Sequence, residues 1–312
     1  MNQLLRIFIS LIFILLGFHA IANESKYIVK NHLEFSKNDK EQHCNLDSDP
    51  SKFKFYKKTN YSGPVTENPI NNADWYLAQT WGIRIFSRSR MTNYKHGKSL
   101  GVCINKKGKG YSYTAVPTSI WGKKRSWTNI TYIIGHRGWS SSSYVSSTDF
   151  PARIGKIKKL QLIYDYSSKT EGLSNKNLTL WIKDNNSTRP FVEVMLKFED
   201  NSLAKGARGK LPDIITDNYK FRVTTNKTYY EERKNEGLGD FFSVDAVMEG
   251  ARFRKDGFRL DLNLRQVLDY LIDQKLISSD NILPGIDVTT EIWNGRDKVK
   301  INELKYEIVK DL

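Results

Sequence analysis

The chain is poor in the residues that bind metals or build disulfide frameworks. It has two cysteines, Cys44 and Cys103, and five histidines among its 312 residues. Neither cysteine has a histidine or a second cysteine at metal-ligand spacing, which argues against a zinc site. An even cysteine count in an exported chain favours one disulfide, and the alternative is two buried free thiols. His43, His96 and His136 lack an obvious nucleophile or metal partner, and we expect no cofactor.

Long apolar runs are equally scarce, and the one that stands out lies at the start of the chain. Residues 7–18 form an apolar run after Arg6, and the small residues Ala20 and Ala22 follow it. The run is shorter than the roughly 20 residues that a membrane-spanning helix needs, which argues against the alternative of a membrane anchor. The pattern predicts a signal peptide over residues 1–22, cleaved before Asn23. We expect a secreted, soluble mature protein that is periplasmic or extracellular and has no membrane contact.

Proline is rare, and internal repeats and low-complexity tracts are absent from the sequence. The 8 prolines and the aromatic content of 12% are typical of a folded enzyme or binding domain. Residues 23–52 are polar and charged, and we expect a partly flexible lead-in there. The remainder, residues 53–312, is of ordinary length for a single β domain. We expect this domain to be a monomer.

The formal net charge is +15. A strongly basic protein can bind nucleic acid or an anionic surface. Here the lysines are scattered between apolar residues, and the densest groups, at 106–109 and 123–125, lie in turn-like sequence. We therefore expect a solvated basic surface and no nucleic-acid partner, and export also argues against such a partner. An anionic cell surface or an acidic polysaccharide stays open as a partner.

Hydrophobic periodicity predicts the fold class. From residue 53 onward, short runs alternate apolar and polar residues and are separated by Gly, Asn, Ser and Pro. This pattern predicts many short strands and is typical of an all-β sandwich or jelly roll. One segment, at 261–276, has helical spacing instead, with an apolar stripe of Leu264, Val267, Leu268, Leu271 and Ile272. It predicts one amphipathic helix that packs on the outer sheet of the jelly roll.

Two glutamates stand out because each lies in a strand-like run. In the first run, Glu193 and Lys197 share the face opposite the apolar residues; in the second, Glu291 and Trp293 do so. Two carboxylates that face one groove are the minimum equipment for cleaving a glycosidic bond. The alternative is that both glutamates are solvated on open sheet faces, and alternation alone does not decide between the two.

The local sequences around both glutamates carry further information. Residues 193–197 partly match a Glu-x-Met-Ile-Trp run, and residues 289–295 approximate the spacing of a Gly-Thr-Glu-Pro-Phe-x-Gly run. On these runs the chain resembles glycoside hydrolase family 12, the small jelly-roll endo-β-1,4-glucanases and xyloglucanases. Further landmarks follow in the family's order, namely Asn71-Asn72 with Trp75 or Trp81-Gly82, Cys103, the run at 132–139, the predicted helix, and the run at 279–283. The resemblance covers roughly residues 44–309.

The resemblance implies a retaining glycosidase that uses no cofactor. Glu193 would be the ionised nucleophile, and Glu291 the protonated general acid that later serves as general base. The implied substrate is a β-1,4-glucan-type polysaccharide, such as cellulose, mixed-linkage glucan or xyloglucan. The resemblance also implies a disulfide partner role for Cys103, with Cys44. It implies substrate contacts for a further set of residues, namely Asn72, Trp81, Trp139, Met195, Lys197 and Trp293.

The sequence departs from the family pattern around the first glutamate. Lys197 stands where the family has a groove tryptophan, Trp181 replaces a strand aspartate near the nucleophile, and Thr289 replaces a glycine. The loop at 204–209 also differs. We hypothesise that Lys197 holds Glu193 ionised through charge proximity, and the alternative is a lysine that points to solvent.

Two other classes of function compete with the enzyme. A carbohydrate-binding jelly roll without catalysis would keep the aromatic residues and tolerate loss of either glutamate. An exported basic protein that acts on a host or envelope surface would bind anionic polymers with an affinity that falls steeply with salt.

Overall fold

The structure is a computed structural model that describes residues 53–57, 74–81, 101–105, 110–115, 127–136, 149–187, 189–201, 209–227, 241–254 and 256–311. The predicted signal peptide at 1–22 and lead-in at 23–52 lie outside these ranges, so the domain boundaries stay predictions. Within the described ranges no helix is long and apolar enough to cross a membrane.

Strands dominate the described part of the chain. They are β1 (Phe53–Lys57), β2 (Asp74–Trp81), β3 (Gly101–Asn105), β4 (Gly110–Ala115), β5 (Trp127–Gly135), β6 (Ala152–Arg153), β7 (Ile157–Ile182), β8 (Val192–Asp200), β9 (Gly209–Lys210), β10 (Ile214–Ile215), β11 (Lys220–Thr225), β12 (Phe242–Met248), β13 (Gly257–Asn263), β14 (Ile282–Leu283) and β15 (Gly285–Lys310). One α-helix, α1 (Leu264–Asp273), follows β13 directly, and short 3-10 turns lie at Ile154–Lys156 and Ala251–Phe253.

One layer of the fold presents a broad polar face. Its strands run in the order β2, β5, β15, β7, β8, β12 and β11, with β9 and β10 pairing β11. All of these pairs are antiparallel except β8 with β12, which is parallel. We call the polar side of this layer the groove face, and both glutamates lie on its strands.

The two long strands, β7 and β15, join this layer to a second layer, in which the first half of β7 pairs with β13. They pair with each other from Ile157 to Thr179 of β7, with register shifts where bulges interrupt the ladder. The first half of β7 also pairs β13, whereas its second half pairs β8. Bulges bend strands and increase their twist, which lets one strand serve two layers. The sequence predicts separate strands at 157–166 and 178–182, and at 286–293 and 298–309; the structure joins each of these pairs into one strand.

The apolar core lies between the layers and follows the predicted alternation. In β8, Val192, Val194, Leu196 and Phe198 have no exposed surface. The predicted helix is confirmed, although it is shorter than the pattern at 261–276, because residues 261–263 belong to β13. Its stripe residues Leu264, Val267, Leu268 and Leu271 are buried, and the helix packs on β7. The Arg265 guanidinium donates to the carbonyls of Ile154 and Ile157, which ties the helix to the start of β7 on the second layer. The all-β jelly roll with one helix on its outer sheet is therefore confirmed.

Candidate active site

Glu193 and Glu291 both project from the groove face, as the alternation predicts. On β8, Glu193 is partly exposed and alternates with residues of the core. On β15, Ile286 and Val288 face the core, whereas Glu291 faces the groove but is only 9% exposed. A glutamate solvated on an open sheet face would be far more exposed. The burial of Glu291 therefore argues against the alternative that this glutamate is solvated on an open sheet face.

Strand β7 lies between the two glutamates. Glu193 pairs with Trp181 of β7, and Glu291 pairs with Asn175 of the same strand. The backbone register alone thus places them at different heights along the groove. Their side chains nevertheless interact, because the charge of Glu291 ranks second, after burial, among the causes that raise the pKa of Glu193. The charge of Glu291 thus acts on Glu193, although the two residues pair with β7 positions that are six residues apart.

A row of polar side chains on β7 holds Glu291. The Asn175 Nδ2 donates to Glu291 Oε2 at 2.6 Å. The Asn177 Nδ2 donates to Asn175 Oδ1 at 2.7 Å, and the Thr179 hydroxyl donates to Asn177 Oδ1 at 2.7 Å. All three β7 residues are nearly inaccessible to water. This ladder fixes the Asn175 amide so that its NH₂ group points at Glu291.

The pKa values of both carboxyls are raised. Burial raises the pKa of Glu193 well above its usual range, and the charges of Glu291 and Asp245 add to this effect. Burial also raises the pKa of Glu291, but the Lys197 charge and the Asn175 hydrogen bond oppose it. Interacting carboxyls titrate as a pair, and ionisation of the first raises the pKa of the second. The free site therefore retains a proton into a pH range where an ordinary glutamate is ionised.

The neighbours of the pair favour the charge on Glu291. After burial, the Lys197 charge is the largest influence on the pKa of Glu291. At Glu193, burial and the charges of Glu291 and Asp245 all affect the pKa more than Lys197 does. Asn175 donates to Glu291 alone in the described part of the chain. The hydrogen bond from Asn175 thus favours the ionised form of Glu291, whereas the family resemblance implies that Glu291 carries the proton.

Lys197 does not point to solvent, so that alternative is wrong. Its side chain is 7% exposed and forms an ion pair with Asp245 of β12, with Nζ and Oδ1 at 3.1 Å. Burial alone would lower the pKa of Lys197, but the charges of Asp245, Glu291 and Asp200 raise it above its usual value. Lys197 is thus a fixed cation in the groove. Its charge opposes the rise in the pKa of Glu193 without cancelling it, so Lys197 does not hold Glu193 ionised as hypothesised, and its ion-pair partner is Asp245.

Trp181 places an aromatic ring beside Glu193. The Trp181 Nε1 donates to Asp287 Oδ2 of β15 at 2.8 Å. Its ring stacks on Phe241, with centroids 6.3 Å apart and planes 24° from parallel. Both rings are partly exposed. Trp181 stands where the family pattern has a strand aspartate, so this chain has an aromatic surface at that position. The nearby carboxylate is Asp287, on the neighbouring strand β15.

The remaining predicted site residues are described to different extents. Met195 is partly exposed on the groove face and pairs with Thr179 and Asp245. Trp81 ends β2 opposite Trp127.

Trp293 lies in β15, one residue beyond the Ile292–Thr128 pair with β5. Asn72 and Trp139 lie outside the described residues. Cys103 lies in β3, but Cys44 is outside the described part, so the disulfide stays a prediction.

The sequence analysis missed three polar groups of the site, namely Asn175, Asp245 and Asp287. The available signal was weak: an Asn-x-Asn-x-Thr alternation at 175–179, interleaved with Lys176 and Leu178. In the described residues no cluster of three or more His, Cys, Asp or Glu side chains is arranged to hold a metal ion.

Comparisons with known proteins agree with this architecture. No protein-family model and no curated protein matches the chain. Among solved structures, the family 12 xyloglucanase from Bacillus licheniformis in complex with ligand is 16% identical, with a TM-score of 0.59 over 82% of this chain and 99% of that one. The Trichoderma harzianum endoglucanase 3 from family 12 is 12% identical, with a TM-score of 0.53 over 83% of this chain and 99% of that one. A metagenome-derived family 12 endoglucanase is 12% identical, with a TM-score of 0.53.

These likenesses establish the fold class of the protein. The chain has the jelly-roll fold of the family 12 glycoside hydrolases, with a sequence that has diverged far from the solved structures. The resemblance predicted from the two glutamate runs is confirmed at the level of the fold.

Proposed function

We propose that this protein is a secreted, retaining endo-glycosidase that cleaves a β-1,4-glucan-type polysaccharide with Glu193 and Glu291. The observation that carries the proposal is that two glutamates share the groove face, with Glu291 only 9% exposed and held by Asn175. A buried carboxyl pair that retains a proton is unfavourable for stability at neutral pH, because one member is charged in a poorly solvated site. Such perturbed pairs cluster where a reaction needs an acid and a base together.

In the proposed reaction, Glu193 attacks the anomeric carbon and Glu291 protonates the leaving glycosidic oxygen. Glu291 then removes a proton from the water that releases the sugar from Glu193. The proton of the free site must lie on Glu291 at the first step. A glycosidic oxygen next to Glu291 accepts a hydrogen bond only from the protonated acid, so substrate favours that form. Because Asn175 donates to Oε2, the proton would be carried by Oε1.

The partly exposed rings of Trp181 and Phe241 fit the same proposal. Pyranose rings present CH groups that pack on aromatic faces, and aromatic side chains bury large areas. Trp181 pairs directly with Glu193, so a sugar stacked there would lie beside the nucleophile.

The test is reducing-sugar release from xyloglucan, mixed-linkage β-glucan and carboxymethylcellulose by the parent, Glu193→Gln and Glu291→Gln. Both substitutions should abolish release, whereas the control Glu307→Gln, an exposed glutamate on the second layer, should not. On an aryl β-glycoside with a highly acidic leaving group, the first step needs no proton. Glu291→Gln should then keep a burst of aryl release, and Glu193→Gln should show none. Activity that survives Glu193→Gln would refute the proposal.

A second candidate is a carbohydrate-binding jelly roll without catalysis. Lys197 and Asp245 in the groove favour it, because this ion pair occupies a position where the family pattern has a sugar-contacting tryptophan. In that case no substrate would be cleaved, and polysaccharide binding would persist in both glutamate variants.

A further inference from the structure

A cavity of about 290 Å³ opens on the groove face beside Lys197. Its floor comes from three neighbouring strands, β8, β12 and β11. Lys197 pairs with Val247, and Val247 pairs with Arg222, so the cavity extends two strand spacings, roughly 10 Å, from Lys197.

The lip of the cavity is a well-anchored turn after β12. Gly250 adopts a left-handed φ of 76°, which glycine accepts without strain, and the chain continues into the 3-10 turn at Ala251–Phe253. The Arg254 guanidinium donates to the Phe198 carbonyl at 2.9 Å and lies 4.1 Å from the centre of the Phe258 ring. Arg252 lines the cavity from this anchored turn.

The cavity holds four cations and three carboxylates. Lys197 is paired with Asp245, and Lys220 is paired with Asp213 at 3.2 Å. Arg222 has no ion pair or side-chain hydrogen bond with any residue of the described part, and the same is true of Arg252. Two guanidiniums from different elements thus face one cavity without a partner in the described part of the chain.

The lining lacks what a neutral sugar subsite needs. Among the described residues that line it, the apolar ones are Val247, Met248 and Ala251, and none is aromatic. Arginine presents donors in a planar fork that matches a carboxylate and forms short, charge-assisted hydrogen bonds. The chemistry of this cavity therefore matches an anionic group, in contrast to the aromatic surface at Trp181.

The cavity lies on the same face of the layer as Glu291. Asp200, which lines it, pairs with Asn175 of β7, and Asn175 in turn pairs with Glu291. A glycan that passes Glu291 would therefore place a neighbouring sugar in the cavity.

We infer that Arg222 and Arg252 form a subsite for the carboxylate of an acidic sugar, so that the groove takes a β-glycan that carries uronate residues. The inference rests on the proposed glycosidase function for its place in the groove. The net charge of +15 favours the encounter with such a polyanion.

The test compares two ligands with the same backbone, cellohexaose and cellohexaose oxidised to carboxylates at C6. Binding is measured by calorimetry in Glu193→Gln, so that hydrolysis plays no part. The carboxylated ligand should bind at least about tenfold tighter, as expected for one charge-assisted contact, and its advantage should shrink with salt. Arg222→Gln/Arg252→Gln should bring its affinity to that of cellohexaose. The control Arg259→Gln, on β13 and paired with Glu303, should change neither affinity.

Glu249 sharpens the test, because it lines the cavity and competes electrostatically with an anionic ligand. Glu249→Gln should tighten binding of the carboxylated ligand alone. Equal affinity for the two ligands, a preference that survives the double arginine variant, or binding of neither ligand would each overturn the inference. The hydrolysis assay decides the proposed function separately, since a neutral glucan could still be cleaved without this subsite.

Discussion

Two lysine–carboxylate pairs lie on neighbouring strands of the same layer, one on each face. Lys176 and Glu199 pair across β7 and β8 on the core side, with side chains 1% and 0% exposed. Lys197 and Asp245 pair across β8 and β12 on the groove side, at 7% and 11%. Burial and residue types are similar, so the difference between them lies in their neighbours.

The core pair is enclosed by groups that only stabilise it. The Tyr166 hydroxyl donates to Glu199 Oε2 at 2.8 Å, and Lys176 Nζ lies 5.8 Å from the centre of the Tyr166 ring. The groove pair instead lies among carboxyls whose proton affinities it changes, since Lys197 lowers the pKa of Glu193 and of Glu291. A buried ion pair can therefore stabilise the fold alone or also act on neighbouring titratable groups, and burial by itself does not distinguish the two cases.

The largest loss of stability is expected from a substitution that breaks the core pair of Lys176 and Glu199. Lys176→Met leaves the Glu199 charge in the core with only the Tyr166 hydroxyl as a described donor, and should lower the free energy of unfolding by about 3–5 kcal/mol. Urea denaturation measures the loss. The matched control is Lys159→Met on the same strand, where the lysine and Glu307 are both exposed, and its effect should stay below about 1 kcal/mol. Equal losses in the two variants would contradict the distinction between core and surface pairs.

The next effect concerns the groove pair. Lys197→Met should cost about 1–2 kcal/mol of stability, between the values for exposed and buried pairs, because the Asp245 side chain that loses its partner keeps 11% exposure whereas Glu199 has none. Its main effect should be on pH dependence. Without the Lys197 charge the pKa values of Glu193 and Glu291 rise further, and a carboxyl that must be ionised then ionises only at higher pH. The acidic limb of the kcat/KM profile should therefore move to higher pH.

Lys197→Arg is the matched control for this shift, since it keeps the charge. It should leave the acidic limb close to that of the parent, even if activity falls through altered packing. A Lys197→Met profile that coincides with the parent would show that Lys197 does not act on the carboxyl pair.

The same contrast shows how far the sequence could predict the molecule. Alternation in β8 correctly separated Val194 and Leu196 from Glu193 and Lys197, because period-two burial depends on the strand alone. The apolar stripe of α1 could be predicted for the same reason, because it depends only on residue spacing within the helix. The continuity of β7 and β15 was not predictable in this way, since it depends on which strands pair on either side of the bulges.

The polar partners of the two glutamates could not be predicted from the sequence for a related reason. Asn175 and Glu291 are 116 residues apart in sequence, and Trp181 and Asp287 are 106 apart. A polar residue at an alternating position has the same pattern whether it faces water or a carboxyl. Only the register of β7 between β8 and β15 brings these side chains to the two glutamates, so the family resemblance pointed to Glu193 and Glu291 but not to the groups around them.

The smallest expected effect tests the aromatic end of the groove. Trp181→Phe keeps a ring against Phe241 but removes the indole donor to Asp287, a side chain that is only 6% exposed. The loss in unfolding free energy should be about 1 kcal/mol, as for one net hydrogen bond, with sugar binding nearly retained. Trp181→Ala also removes the ring and should weaken binding of cellohexaose by about 0.5–1.5 kcal/mol in the Glu193→Gln background. If Trp181→Phe instead costs as much stability as Lys176→Met, the groove face carries the fold as strongly as the core does. The contrast between the two faces of the layer would then be wrong.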